Sequence, residues 1–185
     1  MDVKDDQLDS QLALSRNNSL VIIKSGLVKH GLELSNEIKK RRVSVLIGDS
    51  SWENHGPVIS DYIQKQLSKN YILKFESLFR GEEIIEHAKK GSVDIFILIL
   101  NNIIHSSVSP NIVDHKEMSL ELSSQIRNQY GRPVICLSGC PECTYIERAK
   151  SVSDFFFTLP CKLDELMIAF DKCLKMLPEF HEADP

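Results

Sequence analysis

No apolar run in this chain approaches the ~20 residues that a membrane-spanning helix needs. The longest, Ile95 to Leu100, is far shorter. A secretory signal is missing as well: the chain starts MDVKDDQLDS, acidic where a signal is basic, and no apolar h-region of about 7–15 residues follows. The expectation is a soluble, cytoplasmic protein with no membrane contact. Positive charge is not in excess. With 22 Lys+Arg against 26 Asp+Glu the formal charge is -4, so no global field draws the chain to a phosphate backbone, and nucleic acid is not an expected partner. Cysteine is sparse: five residues, an odd number without an export signal, read as reduced thiols and not as a disulfide framework. No P-loop or G-x-G-x-x-G stretch is present, Gly48 standing alone in its turn, so nucleotide hydrolysis and NAD chemistry are disfavoured and no cofactor is expected.

What is present is ordinary globular material. Hydrophobic residues make up 42% and charged residues 26% of 185, enough for one domain with a sizeable core. From Val43 onward short β-type apolar runs alternate with stretches of helical period, the pattern of parallel strands joined by crossover helices. The runs are Val43 to Ile47, Ile72 to Phe75, Val93 to Leu100, Pro133 to Leu137 and Phe155 to Leu159. The third and fourth are apolar almost throughout, as strands buried on both faces are. Val58, Ile59, Tyr62, Ile63 and Leu67 recur at helical spacing after Pro57, which is placed for a first helical turn. Glu82 to Lys90 and the segment around Leu120, Leu122 and Ile126 supply the next crossovers. Leu163, Leu166, Met167, Phe170, Cys173, Leu174 and Leu177 hold the clearest helical stripe.

Residues 1–42 stand outside this alternation. An acidic, polar start, Gly26, Gly31 and the basic run Lys39 to Arg42 predict a partly disordered extension with one short helix, the basic run being a solvated helix end. Residues 43–177 form the expected domain, and 178–185 read as an unanchored tail.

Four stretches in order, VSVLIGDSS, RGEEIIEHAKKGSVDIFILIL, SLELSSQIRNQYGRPVICLSG and SVSDFFFTLPCKLDEL, make Val43 to Leu177 resemble the receiver domain of bacterial response regulators. The resemblance implies an α/β fold, a doubly wound five-stranded parallel sheet of flavodoxin-like order 2-1-3-4-5, with ligands outside the carboxyl ends of the strands. In receivers an acidic pair after the first strand holds Mg²⁺, an aspartate ending the third strand accepts phosphate, Ser or Thr ends the fourth, and a Lys before Pro ends the fifth. The carboxylate attacks phosphorus while the two cations offset charge on the transferred oxygens.

This sequence departs from that pattern at most of those places, which implies a degenerate, pseudo-receiver phosphorylation pocket. Gly48, Asp49 and Ser50 follow the first strand, leaving Asp49 alone of the acidic pair, a poor Mg²⁺ site. The acceptor position falls on Ile99 counted from Asp94, or on Asn101 counted to the end of the apolar run, and neither side chain forms an acyl phosphate. Ser138 keeps the hydroxyl, but Leu159 stands where the lysine would be, and an apolar side chain cannot neutralise a phosphoryl oxygen. Two insertions, SSWENHG after Asp49 and a long segment between Asn101 and Ser119, bring Trp52, His55, His105 and His115 to loops beside the pocket.

Cys140 and Cys143, spaced C-P-E-C after the fourth strand, and Cys161 after the fifth are weak candidates for a metal or redox site that the fold would gather at one edge. A second C-x-x-C is absent, and unpaired thiols in a reduced cytoplasm are the plainer reading, so no metal is assigned. Cys136 and Cys173 fit core positions. No histidine is paired by any pattern with a nucleophile, and no catalytic residue or enzyme activity is assigned. The expected function is a phosphorylation-independent, receiver-like signalling or regulatory adaptor that acts by protein contact on an unidentified signalling component. The surface about Glu142 to Leu177, which receivers use for pairing, would serve a homodimer. The alternatives are a ligand, metal or redox sensor at the remodelled carboxyl edge, or a conventional phosphoacceptor using Asp49 or Asp94.

Overall fold

A computed structural model describes residues 40–105 and 112–178, without the side chains of 52–54 and 112–114. The short helix expected before residue 43 and the tail beyond Pro178 lie outside the described residues. Five parallel strands, β1 (Arg41–Gly48), β2 (Tyr71–Leu78), β3 (Ile95–Ile99), β4 (Val134–Ser138) and β5 (Phe155–Thr158), form one sheet in the order β2-β1-β3-β4-β5. The crossovers are α1 (Trp52–Leu67), α2 (Gly81–Lys90), α3 (Ile112–Ser124) and α4 (Cys143–Val152), and α5 (Leu163–Met176) closes the domain. This is the flavodoxin-like order 2-1-3-4-5 that the receiver resemblance implies.

The two-residue period of a strand sorts the core into two layers. Val43, Val45 and Ile47 of β1, Ile95, Ile97 and Ile99 of β3, and Ile135 and Leu137 of β4 pack with Ile59 and Ile63 of α1 and with Leu166, Phe170, Cys173 and Leu174 of α5. The intervening residues, Leu46, Phe96, Leu98, Val134 and Cys136, pack with Ile84 of α2, Leu120 and Leu122 of α3, and Tyr145 and Ala149 of α4. Register is fixed by the pairs Ile47↔Ile97, Ile99↔Leu137 and Ser138↔Thr158. The aromatic run behaves the same way, Phe155 and Phe157 facing the α1–α5 layer and Phe156 the other, each half-buried because β5 is an edge. Cys136 and Cys173 are buried, and burial pushes both thiols up to about 12, which makes them inert packing groups.

Two aspartates close the amino edge of the sheet. Asp94 accepts the Ser44 N–H (2.8 Å), and Asp154 accepts the Val134 N–H (2.8 Å) while Arg127 Nε holds its other oxygen at 2.9 Å. Each carboxylate supplies an acceptor for a strand amide that the ladder leaves open. Asp154→Ala orphans the N–H of fully buried Val134, and we expect a loss of about 1–3 kcal/mol in urea unfolding, with Asp154→Asn recovering most of it.

Three expectations need correction. Helix α1 begins at Trp52, five residues before Pro57, so SSWENHG is mostly an added helical turn and not a loop. Asp49 explains it: Oδ1 accepts the Ser51 N–H at 2.8 Å and Oδ2 contacts His55 Nδ1 at 3.2 Å, anchoring a turn that proline alone would not start. The second insertion is likewise partly helical, since His115 lies in α3, whose end widens so that the Tyr130 N–H reaches Gln125 O at 3.3 Å. His105 is not on a loop beside Asp49. A parallel bridge between Arg80 and Ile104 fastens that segment beside the end of β2, with Ile104 N–H to Phe79 O at 2.7 Å and Gly81 N–H to Ile104 O at 2.9 Å. His105 is thereby tucked between the start of α2 and Ser119 of α3, so close that a methyl group on Gly81 would overlap its ring.

Burial is the main cause that lowers the His105 pKa; the nearby charge of Glu82 and Glu121 opposes it and His115 adds to it. The folded chain therefore binds the proton less readily than the unfolded chain, whose histidine titrates near ~6.5. The stabilisation is fully present above that pH and is lost as pH falls below it. Relative to wild type, His105→Gln should be less stable at pH 8, with the gap closing by pH 5 in parallel urea titrations.

Candidate functional site

The carboxyl ends of β1, β3, β4 and β5 converge where doubly wound folds place their ligands. Asp49, just past β1, is buried with its side chain fully covered. It accepts from Ser51 N–H, from Asn102 Nδ2 (2.7 Å) and from His55 Nδ1, so its lone pairs are largely committed within the protein. The strand β3 ends at Ile99, which is buried in the α1–α5 layer, and the chain then tightens into a short turn over Leu100–Asn102. That turn brings Asn101 to Ser138, whose hydroxyl donates to Asn101 Oδ1 at 2.5 Å and accepts the Cys140 N–H at 3.1 Å. Of the two counted positions, Asn101 is thus the one that faces Ser138.

Leu159, which the resemblance sets against the receiver lysine, directly follows β5. Its N–H donates to Ser138 O at 2.8 Å, and its side chain lines an apolar cavity. The positive charge at this edge comes instead from Lys116 of α3, whose Nζ lies 3.3 Å from Cys140 Sγ and 3.7 Å from Glu142 and sits 5.6 Å from the Tyr145 ring centroid. Its contact with Cys140, together with the charge of Glu142, raises its pKa against the effect of burial. A cleft of about 230 Å³ lies between Lys116, His115, Ser50, Asn101, Asn102, Ile103 and Ile104. The apolar cavity, of about 480 Å³, opens on the α1–α5 side.

Mg²⁺, which the receiver resemblance implies, does not fit these groups. Among the described residues Asp49 is the one carboxylate at this turn, and it is already hydrogen-bonded by three donors. Among the described residues no group of three His, Cys, Asp or Glu is placed to hold a metal ion. Nor does the fold gather the three thiols. Cys140 packs into the α2–α4 layer, Cys161 packs against the α1–α5 layer on the other face of the sheet, and Cys143 is exposed at the first turn of α4. Burial raises the Cys161 thiol pKa, so it is not an activated nucleophile. Trp52 begins α1, but its side chain lies outside the described residues. Asp94 sits at the opposite, amino edge, where Ser44 and Arg132 (3.9 Å) engage it.

Asn102 and Lys116 are the members of this site that the sequence did not single out. The Asn-Asn doublet ending the longest apolar run was an available signal for the first; nothing in the pattern pointed to the second.

No protein-family model matches the sequence, and no curated protein matches it. Solved structures do. A two-component response regulator from Clostridium difficile is 18% identical, with 72% of this chain and 96% of that chain covered at a TM-score of 0.53. The BeF3-activated N-terminal receiver domain of RstA from Klebsiella pneumoniae is 13% identical over 71% of this chain and 98% of its own, TM-score 0.54. The receiver domain of the Francisella response regulator 1452 is 22% identical over 72% and 97%, TM-score 0.50. At these identities the likeness is one of fold: the chain folds as a receiver domain does. Among the described residues no helix is long and apolar enough to cross a membrane.

Proposed function

We propose that this protein is a receiver-like signalling adaptor that works by protein contact and without aspartyl phosphorylation. The observation that carries the reading is the replacement of the phosphoryl machinery by a closed hydrogen-bond set: Asn101 with Ser138, Asn102 with Asp49, and Leu159 in the lysine place. Phosphoryl transfer depends on positioned charge, and the cations that would stabilise it are missing from those positions. No catalysis is proposed, and neither Asp49 nor Asp94 is a suitable acceptor, the first covered and committed, the second at the wrong edge.

The contact surface we favour is α4–β5–α5. There β5 is an open edge strand with half-buried phenylalanines, Lys172 lies 5.7 Å from the Phe155 ring centroid, and Ile168 and Met176 of α5 are 59% and 52% exposed. Exposed edge amides beside apolar side chains are a common route to association. A second copy of this chain is the simplest partner. Incubation with acetyl phosphate and Mg²⁺ should leave the intact mass unchanged, and sedimentation should show self-association that Ile168→Glu weakens. A phosphoryl mass gain would overturn phosphorylation independence. A strict monomer that crosslinks to no other protein in cells would overturn the adaptor reading.

A further inference from the structure

The apolar cavity between α1 and α5 reaches down to the sheet. Ile99 and Leu137, neighbours in the β3–β4 register and both buried, form its floor, with Val58 of α1, Leu166 of α5 and Leu159 around them. Its volume of about 480 Å³ falls within the ~300–1,000 Å³ of small-molecule sites, which are mostly apolar with few polar groups. Val58 at the wall is 55% exposed, so an apolar guest would cover surface that water now meets. Among the described residues no Lys, Arg, Asp or Glu lines the cavity. An ion seated there would give up hydration with no fixed opposite charge in the wall to replace it, which selects against charged guests of either sign.

His55 and Cys161 are the polar groups of this lining. His55 Nδ1 stands 3.2 Å from Asp49 Oδ2, and Asp49 is itself held by Ser51 and Asn102, so the ring has a set orientation. Its Nε2 has no hydrogen-bond partner among the described residues. A neutral ring with its proton on Nδ1, facing the carboxylate, leaves Nε2 an acceptor. A doubly protonated ring makes Nε2 a donor, with its charge already balanced by Asp49. A hydroxyl group both donates and accepts, so it pairs with Nε2 in either state, whereas a carboxylate pairs in one state only and an ammonium in the other alone.

We infer that this cavity is a binding site for an uncharged small molecule with a hydrocarbon body and one hydroxyl group, the body between α1 and α5 and the hydroxyl on His55 Nε2. The inference goes beyond the adaptor reading and does not depend on it, since it uses the shape and lining of the cavity alone. A ligand seated there would touch both α1 and α5 and so reach the helix that carries Ile168 and Met176.

The test titrates the full chain with 1-octanol, octanoate and octylammonium, followed by calorimetry. Octanol should bind with a saturable signal at millimolar concentration or below, about tenfold or more tighter than either ion. The thiols report the location: bound octanol should slow the reaction of half-buried Cys161 with N-ethylmaleimide, mapped by peptide mass, and leave exposed Cys143 unchanged. His55→Phe keeps a ring of similar size without Nε2 and should weaken octanol roughly three- to tenfold. Far-ultraviolet dichroism checks that this variant folds, and the wild-type thiol readout stands without it. No saturable octanol binding, an ion that binds as tightly as octanol, or Cys161 labelling untouched by octanol each overturns the inference, as does an affinity unchanged in folded His55→Phe. Cys161 labelling that slows with protein concentration but not with octanol would mean that a second copy covers the cavity, and the ligand reading would be wrong. A phosphoryl mass gain would instead strike the functional reading and leave octanol binding standing, so the two failures are distinguishable.

Discussion

Phe170→Ala should destabilise the domain by about 3–5 kcal/mol, the range for removing a large buried aromatic. Phe170 is fully buried on α5, at the centre of the layer formed by β1, β3, β4 and α1. The cost combines lost apolar burial with a cavity that a five-stranded sheet cannot collapse to fill. Against a typical total of about 5–15 kcal/mol, such a loss leaves little margin. Phe170→Leu should cost much less, since most of the volume stays. Guanidinium unfolding of the three proteins decides it, and an alanine variant within about 1 kcal/mol of wild type would mean that α5 is not seated as described. The contrast with Ile168→Glu matters for function. Ile168 lies two residues away but is exposed, so its substitution should alter association and leave the unfolding midpoint nearly unchanged.

The second large effect is expected at Asp49. In a metal-binding receiver pocket a carboxylate is held ready for a cation, and neutralising it removes metal affinity more than stability. Here Asp49 is covered and receives Ser51 N–H, Asn102 Nδ2 and His55 Nδ1. Asp49→Ala leaves the first two donors, both half-buried, without their acceptor, a cost of at most about 2–6 kcal/mol at roughly 1–3 per buried unsatisfied group. The His55 contribution is smaller because that ring is 41% exposed. Asp49→Asn keeps an oxygen for Ser51 and Asn102 and should retain most of the stability. An alanine variant as stable as wild type, together with Mg²⁺ binding in the wild type alone, would contradict a structural role for Asp49.

The sheet was legible because parallel strands covered on both faces leave nearly continuous apolar runs: Ile95 to Ile99 and Val134 to Leu137 can be little else. The residue types at the counted positions, Asp49, Ile99 or Asn101, Ser138 and Leu159, could also be read from the sequence, as expectations set against the receiver pattern. What the sequence concealed was three-dimensional compensation. The start of α1 was missed because Pro57 is a strong signal for a first turn, while the equally local contacts from Asp49 to Ser51 and His55 leave no comparable pattern of residue type. His105 was misplaced because one bridge, Arg80 to Ile104, redirects its segment across the sheet end. The thiols were misplaced because counting residues past a strand fixes the edge but not the face: Cys140 and Cys161 pack into opposite layers. Leu159 read as the loss of a lysine, and only the packing reveals the cavity that its side chain helps to enclose.

Beryllofluoride with Mg²⁺ mimics a phosphoryl group on a receiver aspartate, and a ligand that binds the native state alone raises its melting temperature by mass action. The direct test of a pocket without phosphoryl chemistry is therefore the thermal unfolding of the full chain with Mg²⁺, with and without beryllofluoride. With the amides of Asn101 and Asn102 and the side chain of Leu159 in place, the melting temperature should not move as beryllofluoride is added. A saturable, Mg²⁺-dependent rise abolished by Asp49→Asn would contradict the account and return the protein to the conventional phosphorylation switch.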